Sequence, residues 1–448
     1  MAPTTTLSTA HIAPSEVHQL LERHILADGL PMVLDLERSH GAYLYDSLRE
    51  REILDLFTCF ATCPIGYNHP KLDTPEFRQR LLPTALNKPS NSDLYTAEMA
   101  EFVATLSRTV PDSLNQRMFF IEGGAPAVEN ALKTAFDWKV RRNLEAGKGE
   151  KGYQVIHFHQ AFHGRSGYTL SLTNTADPRK TDYFPKFDWP RVSNPKLSFP
   201  VTADVLEQVE AAEQQSLGEI KQALRENRDD IAALIIEPIQ GEGGDNHFRT
   251  EFLRQLRELA DEEEFRLVFD EVQTGFGATG KWWAFEHFDV QPDILAFGKK
   301  TQVCGICASD RVDEVDSVFK VSSRINSTWG GNLVDMVRCQ RFVEIIEEEG
   351  LLENATTVGA LLLEGLEQLE TTYPEMVSNS RGRGMMVAFD LPDPKTRDAV
   401  LGEMVEVGVM GLASGVQAIR FRPALSLSPD EAAEGLRRLE LALDGAPR

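Results

Sequence analysis

The stretch DILAFGKKTQVCG, residues 293–305, places two adjacent lysines directly after an apolar run. The side chains from Ile294 to Phe297 are those of a buried strand, and an ammonium group is costly to bury without a partner. In open α/β sheets, ligands bind beyond the carboxyl ends of the strands. We therefore expect either Lys299 or Lys300 to face a ligand site. The alternative is that both are solvated surface groups, and the local sequence does not distinguish the two lysines.

Apolar strands and amphipathic helices alternate on the N-terminal side of this stretch. In the helix predicted at 251–264, the apolar residues Phe252, Leu256 and Leu259 follow one another at i, i+4 and i+7. A second helix is predicted to begin at Pro126, near its first position. The predicted strands are residues 117–121, 153–158, 232–237, 266–271 and 293–297. This alternation predicts an α/β fold with a mostly parallel central sheet that is covered on both faces.

The remaining sequence forms two smaller parts. Residues 43–46 and 53–57 flank a charged turn and predict a β-hairpin. A long helix is predicted from about residue 333 to Gly350. We therefore expect an N-terminal segment over residues 1–75, a large domain over 76–332 and a smaller C-terminal α/β domain over 333–448.

The composition is that of an ordinary soluble globular protein. The 448 residues are 42% hydrophobic and 26% charged, and no apolar run approaches the ~20 residues of a membrane helix. The N-terminal leader lacks the basic and apolar regions of a signal peptide. A formal net charge of -23 argues against nucleic acid or an anionic membrane as a partner. It is compatible with a cationic substrate, although a solvated acidic surface explains it equally well.

The five cysteines predict a reducing compartment, and we expect a cytoplasmic protein. Cys304 and Cys307 have the CxxC spacing of a metal or redox pair. No second CxxC and no His pair accompany them, so we expect packed free thiols here and at Cys59 and Cys63, and no metal site.

The stretch IEGGAPAVENALK, residues 121–133, takes a predicted strand through Gly123 and Gly124 into a helix N-terminus. Free amides and the positive end of the helix dipole at such a turn can bind a phosphate. The stretch matches neither a Walker loop nor a GxGxxG fingerprint. A plain tight turn is the alternative reading of these glycines.

Asp270 ends another apolar strand, where an unpaired carboxylate would be costly. Its partner could be a structural cation, a helix N-terminus or the protonated ring nitrogen of a cofactor. A lysine at a strand end can have a lowered pKa and form a Schiff base. The phosphate turn, Asp270 and a lysine together match the phosphate, ring nitrogen and aldehyde of pyridoxal phosphate.

Three motifs together resemble the signature of the class III, or ω-, aminotransferases among the fold type I pyridoxal-phosphate enzymes. They are DEVQTGFGATG at 270–280, Gly298-Lys299, and NSTWGGN at 326–332. The resemblance extends from about residue 40 to 430. It implies a Schiff base on Lys299, the lysine that directly follows the glycine, and a homodimer with shared active sites. The chain has Gly-Gly-Ala-Pro-Ala at 123–127, where the family often has Ser-Gly-Thr-Glu-Ala, so no side-chain hydroxyl is available to the phosphate there.

The resemblance also implies roles for the residues around the cofactor. Asp270 would pair with the pyridine nitrogen, and Gln273 would bind the ring hydroxyl. Phe162 and Val272 would contact opposite faces of the ring. Lys299 would move the proton between substrate and cofactor. The phosphate would be held by the backbone amides of Gly124 and Ala125 and by Thr328 of the partner subunit.

The implied substrate-binding residues are Arg165, Glu242, Gln273 and Arg420. Glu242 would pair with Arg420 while a diamino acid is bound, and Arg165 would hold its α-carboxylate. When 2-oxoglutarate enters, Glu242 would move aside and free Arg420 for a carboxylate. A structural ion pair is the alternative reading for each arginine.

Longer stretches, such as residues 85–100, 161–175, 184–191 and 297–305, resemble the lysine-specific members of the family. These members imply L-lysine as amino donor and 2-oxoglutarate as acceptor, giving 2-aminoadipate 6-semialdehyde and L-glutamate. The alternatives are an ornithine, acetylornithine or 4-aminobutyrate aminotransferase, a Schiff-base mutase on the same fold, or a non-catalytic cofactor-binding regulator.

Overall fold

The computed structural model describes residues 12–446, so the predicted leader falls largely on residues 1–11, outside the described range. The first elements are a short helix, α1 (Val17–Glu22), and three antiparallel strands, β1 (Leu34–His40), β2 (Tyr43–Asp46) and β3 (Arg51–Asp55). Strands β2 and β3 are the predicted hairpin, but β3 occupies 51–55 instead of 53–57.

Strand β3 ends at Asp55 because the carboxylate of Asp55 forms hydrogen bonds with the backbone that follows. Oδ1 of Asp55 accepts hydrogen bonds from the N–H groups of Phe57 and Thr58, both at 2.8 Å. The next turn, α2 (Thr58–Ala61), has positive φ at all four residues and is therefore left-handed. A strand cannot continue through that conformation.

The central sheet has seven strands, and its order is β4-β12-β11-β10-β7-β5-β6. Strand β12 is antiparallel to both of its neighbours, while the pairs β11–β10, β10–β7, β7–β5 and β5–β6 are parallel. The predicted mostly parallel sheet is thus confirmed. In chain order the strands are β4 (Arg117–Ile121), β5 (Gln154–Phe158), β6 (Arg191–Val192), β7 (Ile231–Ile236), the separate ribbon β8 (Ile239–Gln240) and β9 (Asn246–His247), β10 (Arg266–Asp270), β11 (Ile294–Phe297) and β12 (Cys304–Ala308).

Helices cover both faces of this sheet. On β10, Leu267 and Phe269 join a core that includes Phe252 of the helix at 250–262, whereas Val268 joins a second core with Leu132 of the helix at 124–145. This alternation follows from the two-residue period of a strand. The helices of this part are α3 (Pro75–Leu86), α4 (Ala97–Ser107), α5 (Gly124–Glu145), α6 (Gly167–Leu172), α7 (Ala203–Glu226) and α8 (Thr250–Glu262). Between residues 12 and 446, no helix combines the length and apolar character needed to cross a membrane.

The C-terminal part is a four-stranded antiparallel sheet with helices, in the order β13-β14-β17-β16. The predicted long helix ends as expected before Gly350, whose φ of +63° is left-handed. The elements are α9 (Leu333–Glu348), α10 (Leu351–Thr372), β13 (Ser378–Arg383), β14 (Met386–Asp390), α11 (Pro394–Glu406), β15 (Val409–Met410), β16 (Leu412–Ser414), β17 (Ala418–Phe421) and α12 (Pro429–Gly445).

Strand β15 pairs in parallel with β3, so the N-terminal and C-terminal parts of the chain share one sheet. The division into domains at residues 75 and 332 stays a prediction.

All five cysteines are free thiols. Cys304 and Cys307 are buried in β12, three residues apart, so their side chains leave opposite faces of the strand. The CxxC spacing therefore does not bring the two sulfur atoms together.

Candidate active site

A cavity of about 250 Å³ lies at the carboxyl ends of β7, β10 and β11. It contains every residue predicted to bind the cofactor except Thr328. Its lining is Gly124, Ala125, Phe162, His163, Gly164, Glu237, Glu242, Asp270, Val272, Gln273 and Lys299. A larger cleft of about 750 Å³, beside β6 and α7, contains none of the predicted residues.

The two lysines after Gly298 have different surroundings. Lys299 lines the cavity, and its Nζ contacts Oε1 of Gln273. Lys300 is buried outside the cavity, and its Nζ donates a hydrogen bond to the backbone oxygen of Gln273 at 2.6 Å. Position therefore distinguishes Lys299 from its neighbour.

Burial shifts both lysines in the same direction. Burial, with the positive charge of Arg420 as the next cause, lowers the pKa of Lys299 to about 8. Burial and the adjacent charge of Lys299 lower the pKa of Lys300 to about 7. Lys299 also has a φ of +56°, a strained conformation for a residue with a β-carbon. An amine with a lowered pKa is neutral, and hence nucleophilic, nearer to neutral pH.

Asp270 is buried at the end of β10 and is oriented by two hydrogen bonds. Its Oδ2 lies 2.8 Å from Nδ1 of His163, and its Oδ1 accepts the N–H of Val272 at 3.0 Å. Nε2 of His163 is buried without a hydrogen-bond partner. The sequence did not single out His163, although it lies between Phe162 and Gly164 in a stretch that the family resemblance includes.

Glu237, at the end of β7, is a second buried carboxylate that was not predicted. It accepts the N–H groups of Phe162 at 2.9 Å and Gly241 at 3.0 Å, and so joins two loops of the cavity. Burial raises the pKa of Glu237 to about 7. The rule that identified Asp270, an acidic residue after an apolar strand, applies equally to Glu237.

The first turn of α5 contributes backbone to the cavity through Gly124 and Ala125. The first amides of a helix have no acceptor within the helix. A β-carbon on Gly124 would lie 3.0 Å from Cγ1 of Val272, and one on Gly164 would lie 2.4 Å from Cβ of Ala125. The helix begins two residues earlier than predicted, so Pro126 occupies its third position.

Arg420 and Glu242 do not form the predicted ion pair in this structure. Oε1 of Glu242 instead accepts hydrogen bonds from Nζ of Lys180 and Oγ1 of Thr175, both at 2.7 Å. Nε and Nη1 of Arg420 on β17 are buried and without a hydrogen-bond partner. Burial lowers the pKa of Arg420 to about 10, and the charges of Glu242 and Glu237 oppose that shift.

Three predicted residues are absent from the cavity lining, and one of them, Arg420, is buried on β17. The other two are exposed. Arg165 is exposed in the loop before α6. Thr328 is also exposed, and its backbone oxygen accepts a hydrogen bond from Oγ of Ser92 at 3.3 Å. Within residues 12–446, therefore, the chain alone does not bring these two side chains to the cavity.

Comparison with known proteins identifies the family. The family Aminotransferase class-III matches residues 25–443. The chain is 50% identical to L-lysine-epsilon aminotransferase of Mycobacterium tuberculosis over 433 residues, which is 96% of each chain. It is 48% identical to L-lysine-epsilon aminotransferase of Streptomyces clavuligerus, over 95% of this chain and 93% of that one.

A solved structure agrees with this assignment. The fold superimposes on lysine aminotransferase from M. tuberculosis in the internal aldimine form with a TM-score of 0.94 and 50% identity, over 97% of this chain and 99% of that one. The fold type I architecture expected from the motifs is thereby confirmed. The chain belongs to the class III aminotransferases, and its cofactor is pyridoxal phosphate.

Proposed function

We propose that this enzyme transfers the ε-amino group of L-lysine to 2-oxoglutarate, yielding 2-aminoadipate 6-semialdehyde and L-glutamate. The observation that carries the proposal is the likeness, over nearly the full length of both chains, to enzymes named as L-lysine-epsilon aminotransferases. The acceptor rests on Arg420, whose buried guanidinium offers two unpaired N–H groups to a carboxylate.

The cavity fits the cofactor because its walls contain buried polar atoms without partners. These include Nε2 of His163 and Nε2 of Gln273, in addition to the amides at the N-terminus of α5. Buried polar groups in a folded protein are normally hydrogen-bonded, so several unpaired polar atoms in the wall of one cavity indicate a polar ligand. When bound, pyridoxal phosphate supplies an electrophilic aldehyde carbon and a cationic ring that withdraws electron density.

We assign the cofactor contacts by position in the cavity. The amides of Gly124 and Ala125 would hold the phosphate at the positive end of α5. Asp270 would keep a proton on the ring nitrogen, and the hydrogen bond from His163 fixes its carboxylate for that purpose. Gln273 would bind the ring hydroxyl, and Phe162 and Val272 would exclude water from the two ring faces.

Lys299 moves the proton in this proposal. Its amine, with a pKa lowered to about 8, exists in appreciable neutral form near neutral pH. In the first half of the cycle it would carry a proton from the ε-carbon of L-lysine to the cofactor carbon, and in the second half it would carry one from that carbon to the α-carbon of the glutamate formed. Gln273, whose Oε1 contacts Nζ, orients the lysine side chain.

Two substrates of different charge must use one cavity. Arg420 would bind the α-carboxylate of 2-oxoglutarate and Arg165 its distal carboxylate, while Glu242 would neutralise Arg420 when L-lysine is bound. Arg165 would then hold the α-carboxylate of L-lysine. In the described chain Arg165 is exposed, so this role requires it to turn towards the cavity.

A homodimer is part of the proposal. The side chains of Leu86 and Tyr95 are 73% and 81% exposed. The segment that contains them forms hydrogen bonds to the loop that contains Thr328 and Trp329. An exposed apolar surface of this kind is typical of a subunit interface. Thr328 of the partner subunit would then reach the phosphate. A cytoplasmic location also stays a proposal.

A half-reaction assay tests the reaction. The holoenzyme is mixed with L-lysine alone, and the visible cofactor band is followed; 2-oxoglutarate is then added, and glutamate is measured. We expect L-lysine to bleach the band, and glutamate to accumulate only after the oxo acid is added. A Schiff-base mutase would convert lysine without consuming the oxo acid, and that result would contradict the proposal.

A further inference from the structure

The carboxylate of Glu242 is held by two side chains that no prediction included. Lys180 is the last residue of the short 3-10 turn Pro178–Lys180, and Thr175 precedes that turn. Their hydrogen bonds converge on Oε1 of Glu242, whereas Oε2 is buried without a partner. The side chains of Lys180 and Glu242 are only 34% and 22% exposed, so solvent screens this ion pair incompletely.

Arg420 is a second cation near the carboxylate of Glu242, whose charge opposes the lowering of the Arg420 pKa by burial. The guanidinium of Arg420 is fully enclosed and lacks an ion pair among the described residues. A β-carbon on Gly241, the residue before Glu242, would lie 3.4 Å from Nη1 of Arg420. A change in the side-chain torsions of Glu242 would therefore move its carboxylate from Lys180 towards Arg420. One carboxylate carries a single negative charge and cannot neutralise both cations at once.

We propose that Lys180, with Thr175, is the second docking position of Glu242 and controls how readily Arg420 is released to bind a dicarboxylate. Lys180 is thus a positioning residue that acts through Glu242. The proposal rests on the proposed function, in which Arg420 must be neutralised for L-lysine and free for the oxo acid.

Population shift gives the direction of the effect. A ligand that binds only the form with Arg420 free has an affinity proportional to the fraction of that form. Removal of Lys180 leaves Arg420 as the remaining strong partner of Glu242 and lowers that fraction. Dicarboxylates should bind more weakly, whereas L-lysine, which needs Glu242 on Arg420, should not lose affinity.

The first test compares the variants Lys180→Met and Lys180→Arg with Lys186→Met, a surface lysine in the following loop, as matched control. Binding of glutarate, an unreactive dicarboxylate, is titrated on each holoenzyme, and KM is measured for both half-reactions. We expect Lys180→Met to weaken glutarate and to raise the KM for 2-oxoglutarate about five- to tenfold. The KM for L-lysine should stay within about twofold.

Lys180→Arg should recover most of the glutarate affinity, and Lys186→Met should behave like the wild type. Thermal unfolding checks that each variant is folded. Equal losses for both substrates, or unchanged glutarate affinity in Lys180→Met, would overturn the proposal.

A double-mutant cycle separates this role from direct contact with the ligand. In a Glu242→Ala background, Lys180→Met should no longer affect glutarate binding, because the residue through which it acts is absent. A loss that persists there would show that Lys180 touches the ligand itself, which contradicts the proposal. Failure of wild-type enzyme to convert L-lysine would contradict the proposed function alone, since glutarate binding does not depend on the donor.

Discussion

Lys299 and Lys300 are adjacent in sequence, but the directions of their side chains determine which of them faces the active-site cavity. Both ammonium groups contact Gln273, but one contacts its side chain inside the cavity and the other its backbone oxygen outside. Their pKa values are lowered to similar extents, about 8 and about 7. We therefore propose Lys299 for the chemistry at the cofactor on its position in the cavity and not on its pKa.

Substitution of the two lysines should separate these roles. Lys299→Ala should reduce turnover by at least about a thousandfold, because both the covalent attachment and the proton transfer are lost. The phosphate turn should still bind the cofactor. Lys300→Met should retain measurable turnover and lower the thermal unfolding temperature, since a buried hydrogen bond is lost. Steady-state kinetics and calorimetry check both; an inactive Lys300→Met with an active Lys299→Ala would reverse the assignment.

The pH dependence of cofactor attachment reports the lowered pKa of Lys299. Only the neutral amine reacts with an aldehyde, and its pKa of about 8 lies below the ordinary lysine value. The rate of attachment to the apoenzyme should therefore rise about tenfold per pH unit up to about pH 8 and then level off. Stopped-flow absorbance at several pH values measures this rate. A rise that continues to about pH 10 would mean that the amine is unperturbed.

At the residue scale, the sequence predicted Asp270 and the lysine pair because both follow apolar strands. Glu237 follows such a strand too, and it was missed although the same rule applies. The sequence alone left Lys299 and Lys300 open, since adjacent residues differ only in direction. Lys180 could not be predicted, because its contact with Glu242 joins loops 62 residues apart.

At the scale of elements, the N-terminus of α5 and the loop after β5 pack backbone against backbone. Gly164 has a φ of +120°, and a β-carbon there would lie 2.4 Å from Cβ of Ala125 and 2.8 Å from Oγ1 of Thr169. This close approach holds Phe162 and the helix amides around one cavity.

Gly164→Ala should therefore damage both stability and cofactor binding. We expect a loss of about 1–3 kcal/mol in the free energy of unfolding from backbone strain, with the clash against Ala125 in addition. Cofactor affinity should fall about tenfold or more as the first turn of α5 shifts. Denaturant unfolding and titration of the apoenzyme with pyridoxal phosphate measure the two effects.

Gly402→Ala is the matched control, since Gly402 lies within α11 and a β-carbon there meets nothing within 4 Å. It should raise the free energy of unfolding by about 0.5–1 kcal/mol and leave cofactor affinity unchanged. Equal behaviour of the two variants would contradict the close-packing account.

Element boundaries were predictable where hydrophobic periodicity was strong, as in α8 and the central parallel strands. The hairpin strand predicted at 53–57 is displaced because the carboxylate of Asp55 holds the backbone of the next turn. Strand β12 was not predicted at all. Its sequence, CGICA, is short and contains two cysteines that suggest a motif, and its antiparallel pairing with β11 and β4 is a long-range property.

At the scale of the whole molecule, the site is incomplete in a single chain if Thr328 binds the phosphate. Thr328 is exposed and does not line the cavity that its own chain forms. A two-fold interface would bring the same loop of each subunit to the site of the other.

Mixing of two defective homodimers tests this arrangement. Lys299→Ala supplies an intact Thr328, and Thr328→Ala supplies an intact Lys299, so each mixed dimer should contain one complete site. After dissociation and reassociation of equal amounts, half of the dimers are mixed, and activity should approach about a quarter of the wild-type value. Light scattering confirms the dimer, and each variant treated alone is the control. No gain above the two separate variants would contradict a shared site.

The covalent link between the cofactor and this chain is the feature on which the proposed chemistry depends most. Reduction of the holoenzyme with borohydride, followed by mass-spectrometric mapping of the labelled peptide, measures that link directly. We predict that the visible band disappears and that the pyridoxyl group is found on Lys299. A label on Lys300, or a cofactor that remains unattached after reduction, would contradict the account.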